Sequence, residues 1–126
     1  MAIFTIYQNH SAKDNHDAVN ALGWDGAAKQ YPGVGVHLDM TCDADKWNPE
    51  FFQYYKPVAS VATNVEGETW EKLERVFATS NCGGANGDDY VNFDRAHSLS
   101  VGDLVRTPEG EFYVVAGCGF TKVEVA

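Results

Sequence analysis

The chain has 126 residues and a mass of 13.8 kDa, the size of one ordinary domain, which excludes a two-lobed enzyme with separate cofactor and substrate domains. Apolar residues make up 44% and charged residues 21%, close to globular averages, so wholesale disorder is excluded as well. Nine Lys and Arg stand against eighteen Asp and Glu, a formal charge of −9. That balance argues against a general binder of nucleic-acid backbone or of anionic membrane, because both need cations that displace counterions.

Ile3–Gln8 is rich in β-branched and aromatic residues and reads as a first strand rather than a secretion signal. His10–Asp14 reads as a loop, and Asp14 or Asn15 can cap a short helix over about 15–22. Gly23 and Gly26 weaken its continuation before Tyr31-Pro32-Gly33. Val34–Met40 alternates loosely and suggests an edge strand. Residues 42–50 read as a surface loop, and Tyr55–Thr63 as a strand with Pro57 near its start.

The segment 68–79 gives the strongest local signal. Thr69 suits an N-cap, Glu71 the first turn, and Trp70, Leu73, Val76 and Phe77 a core-facing helical stripe. Asn81–Gly87 reads as a loop that stops this helix, and Asp88-Asp89 as a solvated turn. Leu99–Val105 reads as a strand interrupted at Gly102-Asp103, where Gly102 takes positive φ and Asp103 bonds nearby amides to turn a corner. Thr107-Pro108-Glu109-Gly110 is a hairpin turn, Glu111–Ala116 pairs back, and Gly117-Cys118-Gly119 bends into a last strand. The expected order is β-α-β-β-α-β-β-β: one α+β domain over residues 1–126, mainly antiparallel, with two helices.

Two stretches carry a family signal. One is Tyr55-Lys56-Pro57-Val58-Ala59-Ser60-Val61, followed by the helix ending at Asn81. The other is His97-Ser98-Leu99-Ser100-Val101-Gly102-Asp103-Leu104-Val105, followed by Tyr113 and Gly119-Phe120-Thr121-Lys122-Val123. Together, over residues 55–125, they resemble the YodL-like proteins, short chains met in phages, plasmids and integrated elements. The resemblance implies an accessory protein of a mobile element and attaches no chemistry to any residue.

The motifs of common chemistries are missing. Three cysteines, Cys42, Cys82 and Cys118, form no CxxC, so neither a disulfide framework nor a zinc site is indicated. Asp43-Ala44-Asp45 opens like a calcium loop, but Trp47 holds its fifth position and no glycine follows. GxSxG, the phosphate-binding GxxxxGK[ST] and GxGxxG do not occur. No cofactor and no metal are therefore expected. Cys118, between two glycines, reads as a small buried residue.

The aromatic run Trp47, Phe51, Phe52, Tyr54 and Tyr55 lies beside Asp43, Asp45 and Glu50. No helix or strand buries all five rings on one face, so they either form an exposed hot spot or pack on the first sheet. The first functional expectation follows. The chain is a non-enzymatic, cytoplasmic interaction protein of inhibitor or anti-defence type. It docks Asp43, Asp45, Trp47, Glu50, Phe51 and Tyr54 onto a basic surface of a host or element protein, without nucleic acid or membrane. The alternative is a small enzyme or small-molecule binder with a cleft near His97, Asp103, Tyr113 and Cys118.

Overall fold

The β-branched and aromatic segment at the start of the chain becomes β1 (Ala2–Gln8), and the rest of the fold is arranged on it. In the computed structural model, which describes residues 1–82 and 87–125, β1 lies in the middle of a six-stranded sheet. The other strands are β2 (Lys56–Thr63), β3 (Asp89–Asn92), β4 (Leu104–Arg106), β5 (Phe112–Ala116) and β6 (Gly119–Val123). Their order is β3-β2-β1-β4-β5-β6, and every neighbouring pair is antiparallel.

Alternation along the strands sorts side chains between two cores. Phe4, Ile6, Val61, Val105 and Val115 pack with Leu73 and Val76 of the helix α4 (Thr69–Cys82) on one face. Leu104 and Val114 point the other way, onto Val36 and Met40 of the helix α3 (Pro32–Cys42), with Ala44 and Tyr55. Helices thus cover both faces. A one-residue bulge in β2 skips Val58 between the pairs Ile6–Ala59 and Tyr7–Pro57. The freed Val58 carbonyl accepts from the N–H groups of Phe93 and Asp94, which anchors the exit of β3.

The α+β class and the antiparallel sheet agree with expectation, whereas two helices and the order β-α-β-β-α-β-β-β do not. Val34–Met40 is not an edge strand but the middle of α3. Pro32 is preorganised for the first turn, and Val36 and Met40, four apart, lie on the same buried side. The short helix expected at 15–22 is preceded by α1 (Ser11–Asp14) and continues as α2 (His16–Gln30), which bends at Gly23, φ 73°. The surface loop expected at 42–50 holds the 3-10 turn Ala44–Lys46 and the start of a second, Pro49–Tyr54, each started by a side chain, Asp43 and Asn48, that accepts a backbone N–H. The edge strand β3 was not expected in so polar a stretch, and of Leu99–Val105 only the end is strand.

Other expectations fare differently. Strand β2, helix α4 and the Thr107–Gly110 turn form as read, with the Gly110 N–H bonded to the Thr107 carbonyl at 2.9 Å. Trp70, expected in the core, is 63% exposed, because it precedes the Leu73–Val76 side of α4 at the first turn. Cys118 is exposed at the β5–β6 turn rather than buried. Asp88 is not solvated: its carboxylate takes Arg75 Nε at 2.7 Å and Thr79 Oγ1 at 2.6 Å. Burial alone would raise its pKa, but these bonds outweigh that and hold it below the usual carboxylate range. The loop expected at 81–87 begins inside α4 at Asn81 and Cys82, and residues 83–86 lie outside the described residues. No helix among the described residues is long and apolar enough to cross a membrane.

The buried stripe of α4 makes a direct prediction. Leu73→Ala destabilises the fold by about 3 kcal/mol in urea unfolding, while Trp70→Ala changes it by less than about 0.5 kcal/mol. Equal losses at the two positions would contradict the assignment of the stripe.

Candidate functional site

Where β1 ends, its alternation carries a glutamine into the interior: Gln8 is fully buried. A buried carboxamide must bond to both its ends. Its Nε2 donates to the His97 carbonyl at 2.9 Å and to Asp103 Oδ2 at 3.1 Å. Its Oε1 accepts from the His97 N–H at 3.2 Å and faces His10 Nε2 at 3.3 Å. Because Oε1 can only accept, His10 Nε2 carries the proton there, and His10 Nδ1 is left as a buried lone pair without a partner. His97 Nδ1 lies 2.8 Å from the Ser98 carbonyl, so it too is a donor, and its 3.3 Å approach to Gln8 Nε2 brings two donors together rather than forming a bond.

Asp103 is the acidic member of this group. Its Oδ2 accepts from Gln8 Nε2, from the Ser100 N–H at 3.0 Å and from Ser100 Oγ at 3.4 Å, and lies 3.8 Å from His97 Nδ1. The Ser100 contacts are the local corner expected from the sequence. Gly102 turns that corner at φ 93°, and its carbonyl accepts from Tyr55 Oη at 2.6 Å. Burial pushes the Asp103 pKa up to about 7, although His97 and the hydrogen bonds oppose it. Burial likewise raises Tyr55, and it lowers His10 and His37, with Lys56 and Lys13 adding to the effect at His10.

The space among these groups is small. A cavity of about 20 Å³ is lined by Asn9, His37, Tyr55, His97, Ser100 and Asp103, among others. That is room for about one water molecule. Of the four residues of the alternative cleft, the fold joins only His97 and Asp103. Tyr113 packs against the α4-side core, and Cys118 sits on a separate groove. Nothing in the sequence brought Gln8, His10, His37 or Tyr55, the last read as one of the aromatic run, to this point, because they reach it from β1 and the residues after it, from α3 and from the end of the 3-10 region.

The separate groove is larger, about 540 Å³. Thr41, Cys42, Asp43, Ala44 and Asp45 line it from the end of α3 and the first 3-10 turn. Val101, Ala116, Gly117, Cys118, Phe120 and Thr121 line it from the sheet side. No Lys, Arg or His lines it. Of the residues expected to bind a partner, Asp43 and Asp45 are exposed on this groove and Glu50 is exposed nearby in the chain. Trp47, Phe51 and Tyr54 are half-buried and pack against the α3-side core. Trp47 meets Phe51 and Tyr55 edge-on at 6.0 and 5.5 Å, and its Nε1 donates to the Glu124 carbonyl at 2.7 Å. The aromatic run therefore mainly packs, and the acidic residues supply the exposed face. Among the described residues no group of three or more His, Cys, Asp or Glu is placed to hold a metal ion. Comparison with family models, with curated proteins and with solved structures returns no match.

Two outcomes test the polar cluster. A folded-state pKa near 7 means that Asp103 retains, between about pH 4 and pH 7, a proton that the unfolded chain has released, so its contribution to stability falls as pH rises through that interval. Asp103→Asn therefore gains on the wild type by about 2 kcal/mol between pH 5 and pH 8 in urea unfolding; parallel curves would contradict the assignment. Gly102→Ala places a Cβ 2.9 Å from the Met40 carbonyl oxygen at positive φ and costs about 2 kcal/mol or more, read as a lower midpoint in the same experiment.

Proposed function

We propose that the protein is a non-enzymatic interaction protein that docks its acidic groove onto a basic surface of a partner protein. The observation that carries this reading is the groove itself: an open space of about 540 Å³ with Asp43 and Asp45 on one wall and no cation in its lining. The chain's charge of −9 extends the same potential over the surface, which steers a basic partner and repels nucleic acid. The size of the His97–Asp103 cavity supports the choice against a small enzyme, because nothing larger than about one water fits beside the carboxylate. The resemblance to YodL-like proteins adds the setting, an accessory role in a phage or other mobile element acting on a host or element protein in the host cytoplasm, as an inhibitor or anti-defence factor. Only that resemblance supports the setting.

The triple variant Asp43→Lys, Asp45→Lys, Glu50→Lys tests the reading. Immobilised wild type retains a discrete set of basic proteins from host lysate at about 100 mM salt and releases them at about 500 mM, while the variant retains none of them. Retention of the same proteins by both chains would contradict the reading.

A further inference from the structure

We infer that the groove and the adjoining free edge of β6 together take an extended, lysine- or arginine-bearing segment of the partner protein as a seventh strand. The inference rests on the docking reading above and adds how the partner is held.

Two independent observations meet at this place. The first is the strand edge. The sheet order ends at β6, so one side of Gly119–Val123 faces no neighbouring strand among the described residues. Outside the ladder with β5, no backbone hydrogen bond from another described segment reaches these five residues. A row of unused N–H and C=O groups is a template for an added strand. The second is the groove. Phe120 and Thr121 of β6 line it, and Asp43 and Asp45 stand on its opposite wall. Thr121 pairs with Val114, whose side chain lies on the α3 side of the sheet, so the Thr121 side chain and the carboxylates share that side, next to the free edge.

The geometry then sets the occupant's chemistry. In an added strand, every second side chain points to the α3 side, at intervals of roughly 7 Å. A Lys or Arg there lays its aliphatic stem along Val101 and Ala116, which pack on the α3 side, and brings its charge to Asp43 and Asp45. The cation on β6 itself does not compete. Lys122 pairs with Tyr113 on the α4 side and is held by Glu111 at 2.6 Å. The opposite sheet edge, β3, is a poorer host for a basic segment, because Lys56 and Arg95 stand at the end of that strand with Asp94. Burial of the segment's backbone against an edge gives affinity that does not depend on sequence, and the carboxylates select its charge.

The test uses a fluorescein-labelled seven-residue peptide of alternating Lys and Val, the same peptide N-methylated along one backbone edge, and a Glu–Val counterpart. Fluorescence anisotropy reads binding, and hydrogen exchange reads the amides of β6 and β3. The Lys–Val peptide binds the full chain, the Glu–Val and N-methylated peptides bind about tenfold or more weakly, and amide exchange slows in 119–123 but not in 89–92. Asp43→Asn with Asp45→Asn weakens the Lys–Val peptide about fivefold or more. Equal binding of the N-methylated peptide, with β6 exchange unchanged and the Asp43/Asp45 variant still weakened, overturns strand addition and leaves acidic docking standing. No binding of the Lys–Val peptide, or binding unaffected by the Asp43/Asp45 variant, overturns both.

Discussion

A single buried carboxamide holds the middle of this molecule together. Gln8 sits at the end of the central strand with no access to water, and its two ends bond to the backbone of His97, to the carboxylate of Asp103 and to the ring of His10. Unsatisfied, that amide would cost about 1–3 kcal/mol. Satisfied, it fixes the segment 97–103 against β1. That segment in turn carries Gly102, pinned by the Tyr55 hydroxyl and packed close to the Met40 carbonyl, and Val101, which lines the acidic groove. The polar interior and the open groove are thus consecutive parts of one arrangement: the first sets the position of the second.

This view also explains why a cluster rich in histidine and carboxylate need not be a reactive centre. Two histidines, an aspartate and a tyrosine with shifted ionisation converge there, the pattern that often marks catalysis. Here the shifts arise first from burial, and the hydrogen bonds of the cluster close on one another and on backbone groups. Structural polar networks shift acidities by the same physics. The room left over, about 20 Å³, holds about one water molecule.

The sequence disclosed some of this and concealed the rest for definite reasons. Strand β2 and helix α4 were legible because their apolar spacing matches one period only. In Val34–Met40 the spacing fits both periods, since Val36 and Met40 are two strand steps or one helical turn apart, and the two glycines masked the helix. Strand β3 has little apolar character and is made by pairing with β2. The corner at Gly102-Asp103 was legible because Ser100 and Asp103 interact locally. Gln8 was not, because nothing near it in the chain signals partners some ninety residues away. The acidic residues at 43, 45 and 50 were correctly read as surface, while the rings beside them are mostly drawn into packing on the sheet.

The account therefore stands on Gln8 as the tie between β1 and the 97–103 segment. Hydrogen exchange on Gln8→Leu, a change that keeps the volume close to that of the amide and removes its bonds, tests it most directly. The account predicts that the amides of 99–103 and of 41–45 beside the groove lose protection while the β1–β2 ladder keeps its own. Unchanged protection at 99–103 in a folded variant would contradict it.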